Sequence, residues 1–395
     1  MATDEGESMN LMNNFSFELP TRIEYGIGVT ARLPGELQAL GVKKVLLVTD
    51  PGVASRGLMN DLRTNITQNG IEFEIFDHVE SNPKDYNVEE GAAKAVATKV
   101  DGIVAVGGGS PIDCAKAISV VVTHGGKPRD YEGKGRITGD PLPLIAVPTT
   151  AGSASEVTFS AVITDTAEKF KFSIKDPKIA PVVALADPEM TRTMPPALTA
   201  ATGMDALTHA IEGYTAKVAE PLADAAALYA IELIAGHLRT AVNDGGNLEA
   251  RAGMLIGSIL AGIAFSHSDV GSVHCIAEAL GGKYDLPHGV CNAVCLPAIM
   301  EYNREYCQSH YARVAGAMGS TYDNPQEGAR IAVSAVARLA GDVHLPDFER
   351  LGIKPEDLDE LTHNSQINGS NPDNPRPMEK EDYLKVFEML GRPQK

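Results

Sequence analysis

The chain has 395 residues, of which 44% are hydrophobic and 22% charged, and a formal net charge of −18 from 34 basic and 52 acidic side chains. These proportions belong to folded globular proteins and exclude a mostly disordered chain, and the length suggests two or three domains. A chain this acidic, with no Lys/Arg run, repels a phosphate backbone, which excludes general nucleic-acid binding; backbone N–H groups at a helix start can still hold a nucleotide cofactor.

Met1–Asn14 is acidic and polar. It lacks the basic start and apolar run of a secretory signal. From about residue 15 to 192, apolar runs alternate with helical segments. Val45–Thr49, Glu72–Phe76, Gly102–Val106 and Leu144–Val147 read as strands, and Gly57–Asn69, Val88–Lys99 and Pro111–Thr123 as helices. Strands that are almost wholly apolar, alternating with helices, predict a doubly wound parallel sheet covered on both faces. From residue 193 to the end the strand signal disappears. Alanine-rich amphipathic helices are predicted at Pro196–Thr215, Pro221–Val242, Leu248–Phe265, Val270–Gly281, Ala293–Asn303, Gln308–Met318 and Gln326–Ala340. Asn364–Pro377, rich in Asn, Ser and Pro, reads as a surface loop. No apolar stretch of about 18 residues escapes interruption by charge, Gly or Pro, so no membrane span is expected. Five cysteines (Cys114, Cys275, Cys291, Cys295, Cys307) suit a reducing cytoplasm, and Cys291-x3-Cys295 without a second pair reads as structural thiols sooner than as zinc ligands.

Two groups of residues point to chemistry. Gly107-Gly108-Gly109-Ser110 joins a strand to a helix. The turn is either a tight connection or a cradle in which backbone amides and the helix N-terminus hold a pyrophosphate. Asp50 closes an earlier strand; it is a turn residue before Pro51-Gly52, or a carboxylate that binds a ribose diol and repels a 2′-phosphate, favouring NAD over NADP. The acid precedes the glycines, the reverse of the common dinucleotide fingerprint, so the sheet must be wound differently. Thr149-Thr150-Ala151-Gly152-Ser153 follows another strand and could line the same crevice. In the helical half, Asp205 and His209 lie at i and i+4 on one helix face, His274 lies on a second helix, and His288 lies in the loop Leu286–Gly289. One carboxylate and three imidazoles suit a divalent iron, zinc, manganese or cobalt ion, although spacing alone also allows a local helix pair and unrelated histidines.

These stretches, with Ser81–Asp85 (SNPKD), Gly107–Lys116 (GGGSPIDCAK), Pro148–Thr158 (PTTAGSASEVT), Met194–Glu212 (MPPALTAATGMDALTHAIE) and Leu286–Pro297 (LPHGVCNAVCLP), closely resemble the iron-containing (group III) alcohol dehydrogenases, a family that includes lactaldehyde reductase and 1,3-propanediol dehydrogenase. The resemblance implies a dehydroquinate synthase-like architecture: a dinucleotide-binding α/β domain, a helical domain, and an active site in the cleft between them. It implies Fe(II) on Asp205, His209, His274 and His288. It implies NAD contacts from Asp50, Asn82, Gly108, Gly109, Ser110, Asp113, Thr149, Thr150, Ser153 and Lys171. It implies a cytoplasmic homodimer or larger assembly in which an N-terminal strand, here about Phe15–Glu24, can pair across the dimer. Its activity would be hydride transfer between NAD(H) and a small alcohol or aldehyde. The alternatives are reduction of a small anionic aldehyde of the sulfoacetaldehyde or semialdehyde type, and zinc-dependent polyol oxidation of the glycerol dehydrogenase kind. Two positions depart from the family pattern. Glu278 stands where many members carry a histidine, and at i+4 from His274 it is a candidate to orient that imidazole. His267 stands where relatives commonly have Asn and is a candidate proton donor near the substrate.

Overall fold

The structure, a computed structural model, describes residues 14–391. Of the extension expected over residues 1–14, all but Asn14 lies outside the described residues. The chain folds as two compact units: Leu19–Met194, and the chain from Pro195 onward together with the described residues before Leu19.

The first unit has nine strands: β1 (Arg22–Tyr25), β2 (Lys44–Val48), β3 (Glu72–Phe76), β4 (Gly102–Gly107), β5 (Gly133–Lys134), β6 (Leu144–Pro148), β7 (Ser160–Asp165), β8 (Phe170–Lys175) and β9 (Val183–Ala186). Six form one sheet in the order β1-β9-β6-β4-β2-β3, with every neighbouring pair parallel. Successive side chains of a strand point to opposite faces. On β2, Val45 and Leu47 therefore join Val104, Val106, Ile145, Val147, Val183 and Leu185 in one apolar core. Leu46 and Val48 join Ile103, Ala105, Leu144 and Ala146 in the core on the other face. Burial on both faces is why these strands are apolar without alternation. Helices α1 (Leu33–Ala39), α2 (Pro51–Ser55), α3 (Leu58–Gln68), α4 (Asp85–Thr98) and α5 (Gly109–His124) supply the crossovers.

The sequence reading missed β9 and the antiparallel hairpin β7–β8, which pairs Ala161 with Ile174 and Ile163 with Phe172. It also placed the start of α5 two residues late. The N-terminal strand is shorter than expected and pairs within the chain, Arg22 to Tyr25 lying against Val183 to Ala186 of β9.

The second unit is helical: α6 (Pro196–Thr215), α7 (Pro221–Asn243), α8 (Leu248–Ser268), α9 (Ser272–Tyr284), α10 (His288–Asn303), α11 (Gln308–Ala317), α12 (Pro325–Asp342), α13 (Leu358–Gln366) and α14 (Lys380–Leu390). The last two were not anticipated. Helices α7 and α8 are long and apolar enough to cross a membrane by length and composition, a test that buried core helices also pass; here they pack on each other and on α6. Gly203 makes this packing close, since a Cβ there would lie 2.3 Å from a Leu238 methyl. The five cysteines are all buried and form no disulfide among the described residues.

Candidate functional site

Helix α6 carries Asp205 and His209 one turn apart. Helix α9 brings His274, and α10 brings His288 as its first residue rather than as part of a loop. The close approach of α10 to α6 depends on Gly289, where a Cβ would lie 2.6 Å from the Ala201 carbonyl oxygen and 3.3 Å from the Asp205 Cβ. One donor atom from each of Asp205, His209, His274 and His288 lies within 4.8 Å of every other. Asp205, His209 and His274 are buried, while the His288 side chain keeps 29% of its surface exposed.

Surrounding groups hold these four side chains. The His209 ring stacks on Phe265 of α8 at 4.4 Å and lies 4.6 Å from the His274 ring. Glu212, at i+3 from His209 on the same face of α6, is 5% exposed. It accepts the His274 Nδ1–H at 2.6 Å and the Val273 backbone N–H at 2.7 Å. A carboxylate can only accept there, which puts the proton on Nδ1 and leaves the Nε2 lone pair for the cluster. Burial works against a charged His274 imidazole, but the Glu212 hydrogen bond and charge outweigh it and hold its pKa above the ordinary histidine value.

The Asn292 amide nitrogen, one turn after His288, donates to Asp205 Oδ1 at 2.7 Å and lies 3.1 Å from both His274 Nε2 and His288 Nε2. Three ligand lone pairs thus converge on one positively polarised group. A divalent transition metal fits this donor set, its charge answered by one carboxylate and three neutral imidazoles.

Sequence reasoning missed Glu212 and Asn292, although their spacings of i+3 from His209 and i+4 from His288 were available. The Glu278 carboxylate instead accepts from Asn368 at 2.6 Å. His267 donates from Nδ1 to the Ile263 carbonyl at 2.7 Å, stacks on Phe17 at 4.0 Å, and places Nε2 3.1 Å from the Glu18 backbone nitrogen. These contacts tie α8 to the N-terminal segment. The Asn364–Pro377 stretch is no simple surface loop. Asn374 is buried and accepts from Ser272 N and Asn303 Nδ2, and Ser370 donates to Asp269. It straps the start of α9, just before His274.

In the first unit, the loops after β2, β4 and β6 meet at the C-terminal edge of the sheet, the end at which open parallel sheets bind ligands. Asp50 caps α2, accepting the Val53 N–H at 3.0 Å, and its other oxygen lies 3.4 Å from where a Gly107 Cβ would be. Added Cβ atoms at Gly108 and Gly109 would lie 2.9 Å from Thr150 Oγ1 and 2.6 Å from Ser153 Oγ. The Thr149 N–H donates to the Gly107 carbonyl at 2.9 Å. The three stretches read separately in the sequence therefore lie side by side, with Gly109 and Ser110 in the first turn of α5. Asn82, in the left-handed region at φ 51°, accepts from buried Lys171 Nζ at 2.7 Å, which pairs these two side chains. The largely buried Asp113 accepts from Ser155 Oγ at 2.5 Å and Val162 N at 3.0 Å. Both its oxygens serve to pin α5 to β7 and the loop before it. Burial raises the Asp113 pKa, with Lys116, Ser155, Val162 and Lys171 pulling it back down.

Comparison with known proteins agrees with this arrangement. Residues 20–188 match the family model described as iron-containing alcohol dehydrogenase, and residues 199–390 match that of the Fe-containing alcohol dehydrogenase family, C-terminal. The chain is 42% identical to 1,3-propanediol dehydrogenase of Citrobacter freundii, covering 94% of this chain and 98% of that one. It is 38% identical to lactaldehyde reductase of Escherichia coli (strain K12), covering 92% and 96%. A crystal structure of 1,3-propanediol oxidoreductase superposes with a TM-score of 0.93 at 42% identity, covering 96% of this chain and all of that one. Both halves of the chain match family models, and its one cluster of possible metal ligands among the described residues lies within the second match: this protein is a member of the iron-containing alcohol dehydrogenase family.

Proposed function

We propose that this alcohol dehydrogenase interconverts a short primary alcohol and its aldehyde with NAD(H), using Fe(II) held by Asp205, His209, His274 and His288. The observation that carries the reading is the convergence of one carboxylate and three imidazoles from three helices, with Glu212 fixing the tautomer of His274. When bound, the cation supplies Lewis acidity toward an alcohol or carbonyl oxygen, and the dinucleotide supplies or takes up the hydride.

The remaining work falls to the chain. Glu212 keeps the Nδ1 proton of His274 in place throughout turnover. Gly108 and Gly109 let the start of α5 approach a pyrophosphate, and the helix end favours its negative charge. Asp50 accepts from ribose hydroxyls and disfavours a 2′-phosphate, which supports NAD over NADP. In the reductive direction, water reaching the partly exposed His288 side supplies the proton of the product alcohol. Relatives named for 1,3-propanediol and lactaldehyde support a short, hydroxylated substrate. The absence of disulfides among the described cysteines is in keeping with a cytoplasmic enzyme, and exposed Phe15 and Ile27 with assembly into a homodimer or larger oligomer.

The test is NADH oxidation by anaerobically purified protein against a panel of propionaldehyde, 3-hydroxypropionaldehyde, lactaldehyde and sulfoacetaldehyde, with Fe(II) and with a chelator. Turnover of the neutral aldehydes that chelation abolishes and Fe(II) restores is expected. Undiminished turnover in chelator would refute the metal assignment, and exclusive turnover of sulfoacetaldehyde would refute the substrate class.

A further inference from the structure

Lys116 plays no part in the chemistry above, yet its side chain is fully buried. Its ammonium donates to Ser155 Oγ at 2.8 Å, Thr158 Oγ1 at 3.0 Å and the Ser160 carbonyl at 2.7 Å. Three N–H groups thus meet three acceptors, two from the segment between β6 and β7 and one from the first residue of β7, while Lys116 itself sits on α5. The network reaches the cradle in two further contacts. The Ser155 N–H lies 3.3 Å from Ser153 Oγ, and Ser153 Oγ lies 2.6 Å from where a Gly109 Cβ would stand. Ser155 Oγ also donates to Asp113, so one hydroxyl accepts from the ammonium and donates to the acid on the same helix.

We propose that Lys116 is a positioning residue for the dinucleotide: its buried ammonium clasps the loop after β6 to α5, so that Thr150 and Ser153 stay against Gly108 and Gly109. This rests on the reading of that cradle as the NAD site. A neutral Lys116 amine keeps only two N–H groups for these partners and loses the charge that strengthens each hydrogen bond, so the hold on the loop weakens. Two acids face the ammonium, Asp113 from α5 at 3.8 Å and Glu156 from the loop, and Lys171 of β8 acts on Asp113 in turn. Burial pulls the Lys116 pKa down to about 8, with Asp113 and Glu156 pulling the other way. The clasp is therefore closed at neutral pH and opens under mildly alkaline conditions.

The experiment is titration of NADH into the full-length wild type and Lys116→Met at about pH 7 and about pH 9, followed by the fluorescence of NADH; the chain has no tryptophan to interfere. Lys116→Met is expected to weaken NADH binding about tenfold at the lower pH, the scale of a lost charged hydrogen bond. Its kcat at saturating NADH should stay within about threefold and its metal content should be unchanged. Wild-type affinity should fall toward that of the variant at the higher pH, while the variant stays flat. Equal affinity of the two proteins at about pH 7, or equal pH dependence, would overturn the proposal. If Lys116→Met does not fold, Ser155→Ala and Thr158→Val each remove one acceptor and keep the ammonium. Each should weaken NADH about threefold, and unchanged affinity in both would overturn the clasp. Failure of the wild type to bind NADH at either pH would overturn the dinucleotide reading itself, and the clasp with it.

Discussion

Glu212 holds His274 through a 2.6 Å hydrogen bond to Nδ1, and its second oxygen accepts the backbone N–H of Val273. One side chain of α6 therefore both orients a candidate metal ligand on α9 and satisfies an otherwise orphaned amide at the start of that helix. Glu212→Gln keeps the size but loses the charge that fixes the proton on Nδ1. It should reduce metal affinity by about 10–100-fold, the usual effect of removing such a partner. Metal content after dialysis against graded chelator measures this, and retention equal to wild type would show that Glu212 serves only as a cap.

Gly289 sets the distance between α10 and α6. Gly289→Ala would press a methyl group onto the Ala201 carbonyl oxygen, only 2.6 Å away. The expected cost is about 1–3 kcal/mol of stability, with loss of metal because His288 moves with its helix. Thermal melts with and without added Fe(II) would show this, and an unchanged melting temperature with full metal content would mean the backbone yields easily.

His267 is expected to be dispensable for chemistry, since its ring is engaged with Phe17, Ile263 and the Glu18 backbone. His267→Gln should keep kcat within about threefold and leave the pH–rate profile in place, while lowering the melting temperature. Loss of one limb of the pH profile would instead restore the proton-donor role suggested by its place in the sequence.

Glu156 is 2% exposed, and burial raises its pKa to about 7, with a backbone hydrogen bond and Lys116 pulling it back down. Between the unfolded value of 4.5 and about 7 the native state binds the proton more tightly than the unfolded chain. Its contribution to stability is thus fully present at low pH and is lost as the pH rises through that window. Glu156→Gln should melt higher than wild type at about pH 8, and this advantage should shrink toward about pH 5. An advantage independent of pH would place the effect in packing instead.

Much of this fold was legible from the residues, and what was missed follows a physical pattern. Strands β2, β4 and β6 are buried on both faces, so each reads as a short apolar block bounded by Gly, Asp or Pro. The β7–β8 hairpin did carry a signal, Phe170, Phe172 and Ile174 alternating with polar residues, but alternation over six residues is easily lost between loops. Strand β9 is four residues long, too short to show a period. At the site, the four candidate ligands were named through a helical spacing and a family resemblance, and the structure brings them together. Asn374 could not have been, because its partners Ser272 and Asn303 are 102 and 71 residues away and an irregular strap has no local period. Glu278 was singled out because it departs from the family pattern one turn from His274, and Glu212 was overlooked; only the approach of α6 to the start of α9 decides which carboxylate reaches His274.

The unequal burial of the four ligands has a kinetic meaning. Asp205, His209 and His274 are sealed in the helical core, whereas His288 stands at the free start of α10 with nearly a third of its side chain in water. An ion held by these four side chains would meet solution first on the His288 side, so His288→Ala is expected to speed its exchange most.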